Sequence, residues 1–406
     1  MISALFRTLA PVALFALGLA NLLQGCSPAA NSSVTAVKSG SGKTLVTIPR
    51  TVVTSTEALS VNEIFDRGMR RLGERQYALA ADDLEKAAIA APEQPWAPLA
   101  FYNAGIARDE SGAFEKCAED FRRVIRSPTG MPEQRDAHVR LIRVLVYLEH
   151  WKEAAQQADT LVQRYGNLRM LESVVVRGAM ALAEILEGDL EHAEQNVEAA
   201  RSIIEEHQFD LPVKIHFDVA AVYFALGEIR RKRAEAIVFV PPPADFSERL
   251  EQRCQLVLDA QSAYSSTMRA YDSNWSIKAG YGVGILYAKL HSDLMDMLPL
   301  VSFESPERTR LFEAALRLRY SVLLEKALQM MDRALALAVR TSDDSSWVRL
   351  ARESHEQLTA SLAKEAEALR NVPYTREELK AALANLGKES KAKAAALKRK
   401  KSVIRR

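Results

Sequence analysis

The sequence predicts an all-α protein built as a helical solenoid, and three observations carry that expectation. Glycine (17) and proline (15) are scarce among 406 residues and aromatics reach only 7%, which disfavours turn-rich sandwiches, barrels and glycine-looped nucleotide folds. Hydrophobic residues make up 48% of the chain and charged ones 26%, enough to bury a large core. From residue 61 onward, small and large side chains recur with a helix-pair period. The 54 basic and 52 acidic side chains leave a net charge of +2, too balanced for nucleic-acid binding by the whole chain. Three cysteines, Cys26, Cys117 and Cys254, build neither a disulfide framework nor a cysteine-rich zinc site. Shape and cellular address must therefore carry the function.

Residues 1–25 hold one charge, Arg7, followed by a nearly unbroken apolar run from Leu9 to Leu23, the outline of a secretory signal. That run is shorter than the roughly 20 residues a spanning helix needs. It ends in Leu23-Gln24-Gly25-Cys26, which resembles a bacterial lipobox. The resemblance implies cleavage before Cys26, a lipid on its sulfur, including a palmitate-class chain, and, with Ser27 next, sorting to the outer membrane. More than one acyl chain is what stable anchoring requires. Residues 26–60 are rich in Ser, Thr, Val and Ala without helical period and read as a tether; a disordered chain of that length spans about 30 Å on average. Within it, Gly40-Ser41-Gly42-Lys43-Thr44 imitates a phosphate loop, but Val37 stands where the first glycine belongs.

Residues 61–205 carry the repeats. Gly68, Tyr77, Ala80, Leu84, Ala87 and Pro92 fall at spacings of 9, 3, 4, 3 and 5. A second unit follows with Gly105, Phe114, Cys117, Phe121 and Val124, a third with Leu145, Trp151, Ala154, Ala158 and Leu161, and a fourth with Gly188, Leu190, Ala193, Val197 and Ala200. The pattern resembles the 34-residue tetratricopeptide repeat, in which small residues let two antiparallel helices approach and large ones fill the gap. The resemblance implies a right-handed helical solenoid of tetratricopeptide-type helix pairs. Arg71 and Arg108 stand where the family's first helix usually has tyrosine.

Residues 206–370 read as an irregular, repeat-like helical half. One long helix is expected from Leu211 to about Val238, ended by Pro241-Pro242-Pro243, with a hinge between two lobes near the prolines. Asp245 caps the next helix, to about Tyr271. Helices are then expected at Trp275 to Leu298, Glu307 to Arg340 and Ser345 to about Leu369, the last closing the array. Residues 371–406 read as a basic flexible tail: nine basic residues and one acid from Lys388 to Arg406 give a local charge near +8.

No catalytic constellation announces itself. The seven histidines sit in no metal or nucleophile motif, and at His355-Glu356 the second histidine position is Thr359. Gly280, Gly282 and Gly284 imitate part of a dinucleotide loop but lie in a helical pattern, where close packing explains them. Arg230-Arg231-Lys232-Arg233 reads as a solvated helix face, and Cys117 and Cys254 as buried free thiols. No cofactor and no enzymatic role is expected.

The positive signal is the groove of the first helices, where Asn62, Phe65, Met69, Leu99 and Ile106 are expected beside Tyr102, Asn103, Arg140, Arg143 and Tyr147. Asn103 and Arg140 match part of the carboxylate clamp of chaperone-binding repeats, whereas Phe65, Met69 and Asp136 depart from it. Together, repeats and lipobox imply a non-enzymatic lipoprotein scaffold that is lipid-anchored at the outer membrane, faces the periplasm and binds protein partners through the groove. The stretches Arg230 to Phe239, Pro241 to Pro243 and Ala270 to Leu290 look similar to repeat lipoproteins of myxobacterial gliding-motility complexes. Accessories or activators of cell-wall enzymes, and barrel-assembly or pilotin-type factors, are the alternatives. The tail is expected to reach an acidic envelope polymer or protein.

Overall fold

The computed structural model describes residues 59–128, 131–210, 216–243, 245–301 and 305–385. The signal, Cys26, most of the tether and the basic stretch from Lys388 to Arg406 lie outside them. Within the described residues the chain is a ladder of helices: α1 (Val61–Gly73), α2 (Tyr77–Ala90), α3 (Ala97–Ser111), α4 (Phe114–Arg126), α5 (Glu133–Tyr147), α6 (Trp151–Tyr165), α7 (Met170–Glu187) and α8 (Leu190–Glu206). Longer elements follow: α9 (Ala220–Glu235), α10 (Phe246–Met268), α11 (Ser273–Met297), α12 (Pro306–Thr341) and α13 (Ser346–Arg370), with a last helix, α14, over residues 376–385. Each helix packs on the next, and each odd-numbered helix also touches the following odd-numbered one, from α1 through α13. This is a solenoid of tetratricopeptide-type pairs, its odd helices forming one continuous layer.

Local chemistry sets the boundaries. Ser60 and Glu63 form a reciprocal capping box at the start of α1, and Gly112 ends α3 in the left-handed conformation that glycine adopts without strain. Glycine also sets the pair spacing. A Cβ on Gly68 would lie 2.8 Å from Leu84, and one on Gly105 2.8 Å from the Phe121 ring, so the second helix of each pair rests on bare backbone. The first four pairs begin at Val61, Ala97, Glu133 and Met170, which are 36, 36 and 37 residues apart, longer than the 34 of the standard repeat.

Arg71 and Arg108 mark a repeated device. Arg71 pairs with Asp83 at 2.5 Å, and 37 residues on, Arg108 pairs with Asp120 at 2.5 Å. Each arginine ties the first helix of its pair to the second from the position where tyrosine is usual. Arg108 and Asp120 are buried, and Arg108 also reaches Glu85 of the preceding pair.

Several expectations require correction. The helix expected from Leu211 starts only at Ala220, after a 3-10 turn at Phe217–Val219. Two contacts tighten that turn: Asp218 reaches back to Arg143 at 2.6 Å, and its own N–H donates to the His216 ring at 3.3 Å. Asp245 precedes α10 but spends its carboxylate on Arg249 (2.8 Å) instead of capping. No break divides two lobes at the prolines: Phe239 and Phe246 on either side are buried and meet edge to face at 5.2 Å, inside a core that runs from Cys117 to Leu358. The flexible tail expected from residue 371 does not begin there, because α14 buries Leu379 against Ala314 and Ala315 of α12.

The array also closes on itself. Lys278 of α11, 1% exposed, donates to the Tyr147 carbonyl at 3.2 Å and lies 3.2 Å from the Glu149 carboxylate, at the turn between α5 and α6. Its ammonium sits 5.0 Å from the Trp275 ring and 5.9 Å from that of Trp347, whose indole N–H also donates to Glu149. Burial holds Lys278 below its ordinary range, with Glu149 opposing. A clasp thus joins the third pair to the sixth and seventh.

Candidate functional site

The clasp brings a cleft of about 270 Å³ into being. One wall comes from the repeats: Asp109 of α3, Phe114 of α4, and Arg140, Arg143, Val144 and Tyr147 of α5. Phe217 of the 3-10 turn and Asp272 at the start of α11 supply the other. The α5 residues recur at spacings of 3 and 4, so one helix face presents them together.

Of the groove residues expected from sequence, Arg140, Arg143 and Tyr147 line this cleft. Tyr102 lies behind it, its hydroxyl donating to Asp136 at 2.6 Å, and Asp136 in turn accepts from Arg140 at 2.5 Å. Asn103 points elsewhere, toward the Met69 sulfur at 3.3 Å. Phe65, half-buried, stacks on Trp96 at 4.6 Å, a contact of the first pairs. Phe217, Asp109 and Asp272 were missed. Asp109 was within reach, since it precedes α4 on the same stretch as Arg108, but nothing local marks Phe217 and Asp272.

The arginines are held by the protein's own acids. Arg143 donates to Asp218, which also lies 3.3 Å from the His216 ring. Burial raises Asp218 above its ordinary range, with Arg143 opposing. Burial works the same way on Asp136, but the Tyr102 hydroxyl and the Arg140 guanidinium outweigh it and hold that carboxyl low. The Tyr102 hydroxyl is pushed up to about 12 by burial and by Asp136. Each arginine gives one nitrogen to an acid, Arg140 Nε to Asp136 and Arg143 Nη2 to Asp218, so the cations of this cleft are partly spent within the protein. The open acids are Asp109, 3.9 Å from Arg140, and Asp272, which gives one oxygen to the Trp275 N–H at 2.9 Å; burial raises both. The rings of Phe114 and Tyr147 lie beside them, 4.3 Å apart.

The remaining sequence features take structural roles. Gly282 receives the Tyr264 ring and Gly280 faces Ala334. Arg230 and Arg233 pair with Glu194, and Arg231 with Glu228 and Glu235, so that helix face is an ion-pair network. His355 pairs with Asp332 at 3.0 Å. Cys117 and Cys254 are buried and free; burial pushes Cys254 up to about 12. Among the described residues no group of histidines, cysteines and acids is placed to hold a metal, and no helix is long and apolar enough to cross a membrane.

No family model and no curated protein matches the sequence. Among solved structures, the chain is similar to a tetratricopeptide repeat protein from Parabacteroides merdae, with 11% identity, 74% of this chain and 98% of that chain covered, and a TM-score of 0.41. It is also similar to a TPR repeats protein from Bacteroides fragilis, with 13% identity, coverage of 74% and 99%, and a TM-score of 0.27.

Proposed function

We propose that the chain is a non-enzymatic scaffold that binds a segment of a partner protein in the cleft between α5, the Phe217 turn and the start of α11. The observation that carries this reading is the wall itself: Phe217 is 40% exposed, a large apolar ring left at the mouth of a cleft whose other side is aromatic and charged. Acid chemistry is the poorer use of the cleft, because Asp272 is committed to capping α11 and both arginines are tied in ion pairs. Phe217→Arg, which fills the mouth, is expected to cut recovery of partners from crosslinked envelopes about tenfold while melting stays near wild type. Full recovery by that variant would overturn the reading.

The finer proposal is an outer-membrane lipoprotein facing the periplasm, in an envelope complex of the gliding-motility kind, with the basic tail reaching acidic envelope polymers. Its support is the Leu23-Gln24-Gly25 approach to Cys26 and the likeness of residues 230–243 and 270–290 to such proteins. With Cys26→Ser the protein should leave the membrane pellet or remain uncleaved. Unchanged fractionation and mass in that variant would rule out the lipid anchor.

A further inference from the structure

We propose that the cleft receives a cationic side chain, arginine or lysine, presented by the partner polypeptide. The inference rests on the cleft being the partner site and adds the chemistry of what enters it. Four carboxylates, Asp109, Asp136, Asp218 and Asp272, stand in or directly behind the walls against two guanidinium groups, Arg140 and Arg143. Lys278 behind Tyr147 pairs with Glu149 at 3.2 Å and also acts on Asp272, so with Glu149 counted the acids still outnumber the cations. Each guanidinium gives one nitrogen to an acid of its own wall, Arg140 to Asp136 and Arg143 to Asp218. Asp109 meets Arg140 only at 3.9 Å, beyond hydrogen-bond distance, and Asp272 caps α11, accepting from the Trp275 N–H at 2.9 Å and drawn also by the Asn274 N–H. Asp109 therefore faces the cavity partly desolvated and with acceptor capacity unspent, and the capping carboxylate of Asp272 adds its charge beside it. An incoming guanidinium or ammonium would supply the donors they lack, and in a half-buried site such charge-assisted bonds are stronger than at an open surface.

The rings complete the receptor. Phe114 and Tyr147, packed on each other at 4.3 Å, line the cleft beside the carboxylates, and Phe217 stands at the mouth, where the alkyl stem of a long cationic side chain can lie while its head reaches the acids. A neutral or acidic side chain would leave the carboxylates unpaired or repelled, so the same geometry discriminates against them.

The test uses two capped peptides, one with a single arginine between tyrosine and glycine and one with citrulline in its place, titrated against the full chain by calorimetry. The arginine peptide is expected to bind about tenfold more tightly. That preference should vanish in Asp109→Asn and shrink in Asp272→Asn, which keeps the helix cap. Glu110→Gln, an exposed neighbour, should leave it intact. Equal binding of the two peptides by the wild-type chain, or a preference untouched by Asp109→Asn, overturns the proposal. Preference appearing only after truncation at Glu389 would make the chain's own tail the occupant and overturn recognition of a partner's cation. If Phe217→Arg loses its partners while the peptides bind alike, the cationic class fails and the cleft remains the partner site. If Phe217→Arg keeps its partners, the underlying reading fails.

Discussion

Arg108→Ala is expected to lower the free energy of unfolding by about 3–5 kcal/mol, the usual cost of leaving a buried charge without its partner. Arg108 and Asp120 are buried and bonded at 2.5 Å, and loss of the guanidinium leaves the buried Asp120 with only the more distant Arg123, at 3.5 Å. Burial lifts Asp120 to about 7 despite Arg108, whereas its acids hold Arg108 above its ordinary range, so burial outweighs the attraction at the carboxylate alone. The double variant Arg108→Met with Asp120→Leu should therefore recover most of the stability that the single one loses. The sign of the pH effect follows from the same shift. An acid whose folded pKa lies above its unfolded 3.8 favours folding at low pH and loses that contribution as pH rises toward 7. Wild type should show this loss between about pH 4 and 7, and Asp120→Asn should lack it. Denaturant unfolding of the four chains across that range decides. A loss below about 1 kcal/mol in Arg108→Ala would mean that the pair is not a tie.

Tyr264→Ala should cost a similar amount, about 3–5 kcal/mol, for a different reason. Its fully buried ring fills the space left by two glycines on neighbouring helices: a Cβ on Gly227 of α9 would lie 2.6 Å from the ring, and one on Gly282 of α11 2.8 Å. Its hydroxyl donates to Glu228, which Arg231 also holds at 2.6 Å. Truncation opens a cavity that three long helices cannot close by small shifts. The complementary change, Gly282→Val, forces the ring aside and should cost about 1–3 kcal/mol. Tyr264→Phe keeps the ring and should cost only about 1 kcal/mol, since Glu228 keeps Arg231. A melt in which Phe and Ala destabilise equally would show that the hydroxyl, not the ring, holds the joint.

How far the sequence could be read depended on whether the signal was local. The long helices α11, α12 and α13 start and end within about two residues of where the proline and serine punctuation puts them, because caps and breakers act over one turn. The glycines and large residues of the first pairs were legible for the same reason: helical period alone places them face to face. The Arg71 and Arg108 ties were hidden in plain view, since each acid lies on the next helix, 12 residues on, and was not weighed as a partner. α9 was misplaced because its start is set by Asp218, whose contact lies 75 residues away on Arg143. The cleft was half legible. Arg140, Arg143 and Tyr147 follow from the face of one helix, whereas Phe217 and Asp272 reach them only through closure of the array.

That closure changes how the molecule comes apart. In an open array each unit leans on its neighbours alone, so ends fray and folding starts anywhere. Here Glu149 binds Trp347, 198 residues away, and Tyr147 binds Lys278, 131 residues away. Bringing chain segments that far apart together costs about 4 kcal/mol of loop entropy before any contact repays it, and raises contact order, which slows folding. Once made, the same links turn a spring into a hoop. Tension on an open solenoid stretches it turn by turn, while tension applied between α5 and α13 of this one loads Lys278, Glu149 and Trp347 first, and the turns between them stay slack until the clasp opens.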